Sequence, residues 1–218
     1  MKIHQLILNL QATSEVEQPC KPEKMQGKKE NIESALKMLY KMQVEARGRE
    51  FIADAPTLEK LNLAAKWLIS SQKFGLVLYG NVGSGKTMLL NSLAQLFYRI
   101  GCSLPHIINT TAAELHRYYV PDPCAGSFYA VAKNCKILLL DDLGCEPENC
   151  IIYGTSYHPI SEIIYHRYRN QLTTILTTNL TDSELASRYG PRIMDRLEES
   201  FDFIAYTHPS YRTRKLST

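Results

Sequence analysis

The chain has no hydrophobic run of membrane-spanning length, no C-x-x-C pair, no internal repeat, no low-complexity tract and little excess of either charge. Each absence removes a class of protein. Without about 18 consecutive apolar residues there is no candidate transmembrane helix, and the brief apolar stretch within Met1 to Leu10 has neither the h-region nor the cleavage site of a secretory signal. The expected location is the cytoplasm, with no membrane partner. The six cysteines (Cys20, Cys102, Cys124, Cys135, Cys145 and Cys150) are then expected to stay reduced, and Cys145 with Cys150 lacks the second matching pair that a zinc site needs. A net charge of +3 neither announces nor opposes binding to nucleic acid. At 218 residues the chain suits one domain with a full core and a short extension, and leaves no room for a second large domain.

What is present is more specific. Phe74-Gly75-Leu76-Val77-Leu78-Tyr79 reads as an apolar strand and runs into Gly80-Asn81-Val82-Gly83-Ser84-Gly85-Lys86-Thr87, a G-x-x-x-x-G-K-T loop followed by an amphipathic helix. The glycines allow consecutive N–H groups to turn inward and cradle phosphates at a helix N-terminus. That chemistry points to a nucleoside triphosphate, ATP, with Lys86 pairing with the β- and γ-phosphates and the Thr87 hydroxyl ligating Mg²⁺.

Lys136-Ile137-Leu138-Leu139-Leu140-Asp141-Asp142-Leu143-Gly144 is a buried strand that delivers two adjacent carboxylates at its C-terminal edge, a Walker B element. Asp141 is expected to hold Mg²⁺ through its water shell and Asp142 to orient or deprotonate the attacking water. Taken alone, Asp142 also suits a solvated turn. A further strand, Thr173-Thr174-Ile175-Leu176-Thr177-Thr178, ends in Asn179, an uncharged amide placed to fix the lytic water or touch the γ-phosphate. By itself Asn179 is a turn-forming residue at a strand end.

Between these motifs the chain alternates strand and helix, with strands near 106–109, 137–141, 173–177 and 203–206 and helices over 86–100, 112–119, 159–169, 182–189 and 192–198. The pattern predicts an α/β fold with a central parallel sheet covered by helices on both faces. Residues 11 to 30 read as a mobile polar tether. From Asn31, the positions Ile32, Leu36, Leu39 and Met42 recur at helical spacing up to a stop near Gly48, and Thr57 is placed to cap a second helix. The division is thus 1–50, a flexible extension with one amphipathic helix, and 51–218, the ATPase core. The stripe on that helix suits either a partner or the core.

In Glu114-Leu115-His116-Arg117-Tyr118-Tyr119 cationic and aromatic side chains interleave, so Arg117, Tyr118 and Tyr119 are candidates to stack on bases and hold phosphates of a single strand. The competing reading is an amphipathic helix with Leu115 and one tyrosine in the core.

In this order the elements resemble the AAA+ ATPases, and within them the DnaC-type helicase loaders and IstB-type transposition helpers, over roughly Phe51 to Arg214. The likeness includes Asp141-Asp142-Leu143-Gly144, Thr177-Thr178-Asn179, Arg192-Ile193-Met194-Asp195-Arg196-Leu197 and Ser210-Tyr211-Arg212-Thr213-Arg214. By that resemblance Asn179 is sensor 1, Arg196 the arginine finger, Arg192 its neighbour at the subunit interface and Arg212 the sensor 2 arginine. The resemblance implies ATP hydrolysis in an ATP-bridged oligomer that loads or recruits a replicative helicase onto single-stranded DNA. Its alternative is a helper that acts on duplex DNA with a transposase. A P-loop small-molecule kinase is the reading from another class, and it requires lid arginines and an acceptor pocket. Without the resemblance, Arg192 and Arg196 suit helix-surface pairs with Asp195, Glu198 or Glu199. The chain carries Asp142 where AAA+ proteins usually have a catalytic Glu, and only about a dozen residues follow the last strand, which leaves no helical lid.

Overall fold

The computed structural model describes residues 29–102, 106–121 and 127–212; the expectations for residues 11–28 and for Cys20, Cys124, Thr213 and Arg214 lie outside the described residues. Helices α1 (Lys29–Glu45) and α2 (Ala55–Ser70) precede strand β1 (Gly75–Gly80) and helix α3 (Lys86–Arg99). Strand β2 (Ile107–Thr111), short helices α4 (Ala112–Arg117) and α5 (Phe128–Asn134), and strand β3 (Ile137–Leu143) follow. A hairpin of β4 (Cys150–Ile152) and β5 (Thr155–Tyr157) leads to α6 (Pro159–Arg169), β6 (Thr173–Thr178), α7 (Asp182–Tyr189), α8 (Pro191–Ser200) and β7 (Phe201–Tyr206).

The five long strands pair in parallel in the order β2-β3-β6-β1-β7. Parallel pairing brings all their C-terminal ends to one edge. Side chains alternate across a strand, so Leu76, Leu78, Leu139 and Ile175 enter a core layer under α1, α2 and α3, while Val77, Leu138, Leu140 and Leu176 enter the layer under α4 to α8. All six residues of β6 are buried. A sheet covered on both faces needs such unbroken burial.

Helix α1 lays Ile32, Leu36, Leu39 and Tyr40 against α2 and α3 as part of the core. The stripe does not wait for a partner. Its fourth member is Tyr40 and not Met42, which is exposed. The N-cap of α2 is Asp54, whose carboxylate accepts from the Thr57 N–H at 3.1 Å. Thr57 therefore sits inside the first turn, where Asp54 captures its amide. Helix α5 and the β4–β5 hairpin have no counterpart in the sequence reading. Helix α5 is only seven residues long, and the hairpin turns on Tyr153-Gly154, both at positive φ (50° and 80°), the pattern of a type I′ turn without its usual Asn-Gly signal.

Leu36 is fully buried between α1 and its supports. Leu36→Ala should therefore lower the unfolding free energy by about 2–5 kcal/mol, read as a shift of the urea midpoint at constant slope. An unchanged midpoint would mean that α1 is a free arm.

Candidate active site

The phosphate-binding loop leaves the C-terminal end of β1 between β6 and β7 and ends at α3, with Gly85 at φ 104° as the N-cap. A Cβ on Gly85 would lie 2.3 Å from Tyr40 Oη, so the loop is backed directly by α1 and only glycine fits there. Lys86 begins α3 and is 6% exposed. Its ammonium donates to the carbonyls of Gly80 at 2.6 Å and Asn81 at 2.8 Å. Burial lowers its pKa to about 8; Asp142 and Asp141 oppose that shift and the Arg212 guanidinium adds to it.

Two strands away, β3 brings up the paired acids. The Thr87 hydroxyl donates to Asp141 Oδ1 at 3.1 Å, and Thr177 on β6 donates to the same oxygen at 2.5 Å. Thr177 Oγ1 also accepts the Asp142 N–H at 2.9 Å. One hydroxyl thus ties the Asp141 carboxylate to the Asp142 backbone. The register of β3 on β6 shifts between Leu140 and Leu143, and Asp142 adopts φ 55° within that irregularity. Left-handed backbone at a non-glycine residue stores strain. Burial and the adjacent Asp141 raise the Asp142 pKa, while Lys86 and Arg212 hold it down.

A cavity of about 690 Å³ opens over these groups, lined by the loop, Asp142, Asn179, Arg212 and the segment from Val44 to Ile52. That volume lies in the range of small-molecule sites. Thr87 and Asp141 present hard oxygen donors side by side, a set that fits Mg²⁺, which takes one or two protein oxygens and completes its shell with water and phosphate. Among the described residues no group of three or more His, Cys, Asp or Glu side chains gathers as a metal cluster.

The arginines separate into two sets. Arg212 lines the cavity, whereas Arg192 and Arg196 on α8 do not. Arg196 stacks over Tyr165 at 4.9 Å and Tyr168 at 5.3 Å and donates to the Arg192 carbonyl at 2.6 Å. Tyr119 is a correction. It is buried edge-on against Tyr129, with ring centroids 5.0 Å apart, and beside Tyr157 at 5.6 Å, so it cannot stack on a base. Arg117 and Tyr118 stay exposed at the end of α4.

Several site residues carry no sequence signal. Thr177 is one of four threonines in β6, and beyond its place in the Thr177-Thr178-Asn179 stretch no sequence feature gives it a contact with the acids. Glu146, 3% exposed, accepts the Gly144 N–H at 2.9 Å and the Tyr189 hydroxyl and pairs with Arg188 at 3.6 Å. It ties the loop after the acids to α7.

A G-x-x-x-x-G-K-T loop on β1, beside the central strand β6 of this parallel sheet, with paired acids on β3, is the arrangement of the P-loop α/β fold. The particular likeness is to the folds of bacterial replication factors. DnaI matches with a TM-score of 0.56 at 23% identity over 72% of this chain and 88% of that one. The DnaC helicase loader matches with a TM-score of 0.55 at 22% identity over 72% and 93%. Replication initiator DnaA, solved with AMPPCP and single-stranded DNA, matches with a TM-score of 0.54 at 20% identity over 73% of this chain and 49% of that one. In sequence the chain is 26% identical over 131 residues to the chromosomal replication initiator DnaA of Wolinella succinogenes, covering 59% of this chain and 27% of that protein. No family model matches the chain. Among the described residues no helix is long and apolar enough to cross a membrane.

Burial of Lys86 carries a stability signature. Unfolded, the ammonium titrates near 10.5; folded, at about 8. Between these values the unfolded chain binds the extra proton, so the penalty is fully present below pH 8 and is relieved as the pH rises towards 10. Lys86→Met removes the titrating group. The difference in unfolding free energy between variant and parent should therefore shrink by about 1–3 kcal/mol across that window. A pH-independent difference would mean that the ammonium is solvated.

Proposed function

We propose that the chain is an ATP-hydrolysing AAA+ assembly factor that loads or recruits a replicative helicase onto single-stranded DNA. The observation that carries this reading is the convergence of Lys86, the Thr87–Asp141 pair, Asp142 and Arg212 on one cavity. In this reading the loop N–H groups and Lys86 hold the triphosphate. Thr87 and Asp141 hold Mg²⁺, which when bound polarises the γ-phosphate. Asp142 orients the water and accepts its proton, a role that suits a carboxylate whose pKa is raised. Asn179 fixes that water from the end of β6, and Arg212 contacts the γ-phosphate.

Arg196 lies outside its own cavity, on the rings of Tyr165 and Tyr168. A finger held there serves a neighbouring subunit, with Arg192 beside it, so hydrolysis depends on assembly. The fold shared with DnaI and the DnaC helicase loader supports the helicase as partner over a transposase. The DNA contact narrows to Arg117 and Tyr118, because Tyr119 belongs to the core.

Calorimetry with ATP tests the reading at its centre. Lys86→Ala should bind ATP about 100-fold more weakly, since it removes the ammonium bonded within the loop. Arg196→Ala should keep the parent affinity, lose concentration-dependent turnover, and recover part of it when mixed with Asp142→Asn subunits. Parent-level turnover by Arg196→Ala alone would remove the finger assignment.

For the DNA contact, fluorescence anisotropy with a labelled oligonucleotide is the measurement. Tyr118→Ala should weaken binding by about 1–3 kcal/mol and Arg117→Ala should flatten the salt dependence by about 0.7 of a charge, without loss of folding. Unchanged binding by both would move the strand elsewhere on the molecule.

A further inference from the structure

Beyond β7 the chain does not leave the surface but turns back across the phosphate-binding loop. The Asn81 N–H donates to the Tyr206 carbonyl at 2.8 Å, and its side-chain amide donates to the Thr207 and His208 carbonyls at 2.9 and 3.2 Å. Two residues along the loop, the Gly83 carbonyl accepts the Tyr211 N–H at 2.9 Å. The approach is close enough that a Cβ on Gly83, at φ 74°, would lie 2.1 Å from Ser210 Oγ and 3.3 Å from Arg212 Cγ. Tyr206, His208 and Tyr211 stack in series, at 5.8 and 4.8 Å between ring centroids. Residues 207–212 thus form a strap that crosses the loop and ends with Arg212 at the cavity.

One side chain anchors the far end of this strap. The Tyr211 hydroxyl lies 2.9 and 3.0 Å from the two carboxylate oxygens of Asp54, the residue that caps α2, and 2.9 Å from Thr57 Oγ1. A phenol has a single proton, which goes to the carboxylate, so the Thr57 hydroxyl donates to Tyr211. A hydrogen bond to an ionised acceptor is among the stronger ones a neutral donor can make. Arg49 adds a donor to the Tyr211 carbonyl at 3.3 Å. The strap is therefore pinned at both sides: to the loop through backbone, and to the start of α2 through one hydroxyl.

We propose that Tyr211 is a positioning residue of the nucleotide site, which by its bond to Asp54 holds residues 207–212 across the loop and so aims Arg212 at the terminal phosphate. The inference rests on the reading of the cavity as an ATP site. Arg212 is long, exposed and rich in rotamers, and its guanidinium already acts on Lys86 and Asp142 in this arrangement. Fixing the backbone that leads into it reduces the ordering that nucleotide binding would otherwise require.

The test is the full chain carrying Tyr211→Phe, which keeps the ring stack and removes only the hydroxyl. Calorimetry should show ATP affinity reduced about tenfold and ADP affinity changed less than about twofold, because only the terminal phosphate loses its arginine. Combined with Arg212→Ala, Tyr211→Phe should weaken ATP binding no further than Arg212→Ala does alone, since the two changes break one path. Amide hydrogen exchange at Tyr211, with no nucleotide added, should accelerate in Tyr211→Phe while the thermal midpoint stays near that of the parent. Parent-like ATP affinity in Tyr211→Phe, equal losses for ATP and ADP with a lowered thermal midpoint, or additive effects of the two changes would each overturn the proposal. If the parent itself fails to bind ATP while exchange still accelerates in the variant, the nucleotide reading falls and takes the positioning role with it, whereas the hydroxyl anchor survives as a structural feature.

Discussion

The burial of one ammonium organises this molecule. Lys86 sits at the start of α3 with its charge withdrawn from water, and a charge placed there is tolerable only because two loop carbonyls, Asp141 and Asp142 surround it. Those acids arrive from β3, not from the strand that precedes the loop. The order β2-β3-β6-β1-β7 leaves β6 between the lysine and the acids, and parallel pairing brings all their ends to the same edge. The site is therefore a property of the sheet before it is a property of any motif.

The strand in between is not a passive spacer. Thr177 on β6 donates to the Asp141 carboxylate and accepts from the Asp142 N–H, so a single hydroxyl fixes one carboxylate and the backbone of the next residue. The irregularity that separates them costs backbone strain at Asp142. Immediately beyond, Glu146 is held by Gly144, Arg188 and Tyr189, which links the acids to α7 and through it to α8, where Arg196 lies. The acids and Arg196 are thus joined through packed helices.

The chain segments outside the sheet are part of the site rather than additions to it. Tyr40 on α1 backs the loop at Gly85, and the strap of residues 207–212 covers it at Gly83. Asp54 caps α2 and also receives Tyr211, so the region before β1 and the region after β7 meet at one carboxylate.

The sequence by itself determined the loop, the acid-bearing strand, the α/β class and most helix positions, because each rests on residues adjacent in the chain: Gly80 to Thr87, Ile137 to Asp142, and apolar periodicities of 2 or 3.6. Helix Pro159–Arg169 was legible to the residue for that reason. Tertiary structure alone decided which side chains serve the site from a distance. Thr177 is indistinguishable from its neighbours until β6 is laid against β3, and Tyr211 is an ordinary tail residue until the strap meets Asp54, 157 positions earlier. The sequence left Tyr118 and Tyr119 open between a DNA contact and a core position for one of them, and only α5 and the hairpin, by supplying Tyr129 and Tyr157, assign the core position to Tyr119. The apolar stripe of α1 was legible, but its destination was not, since periodicity shows that a face must be buried and never against what.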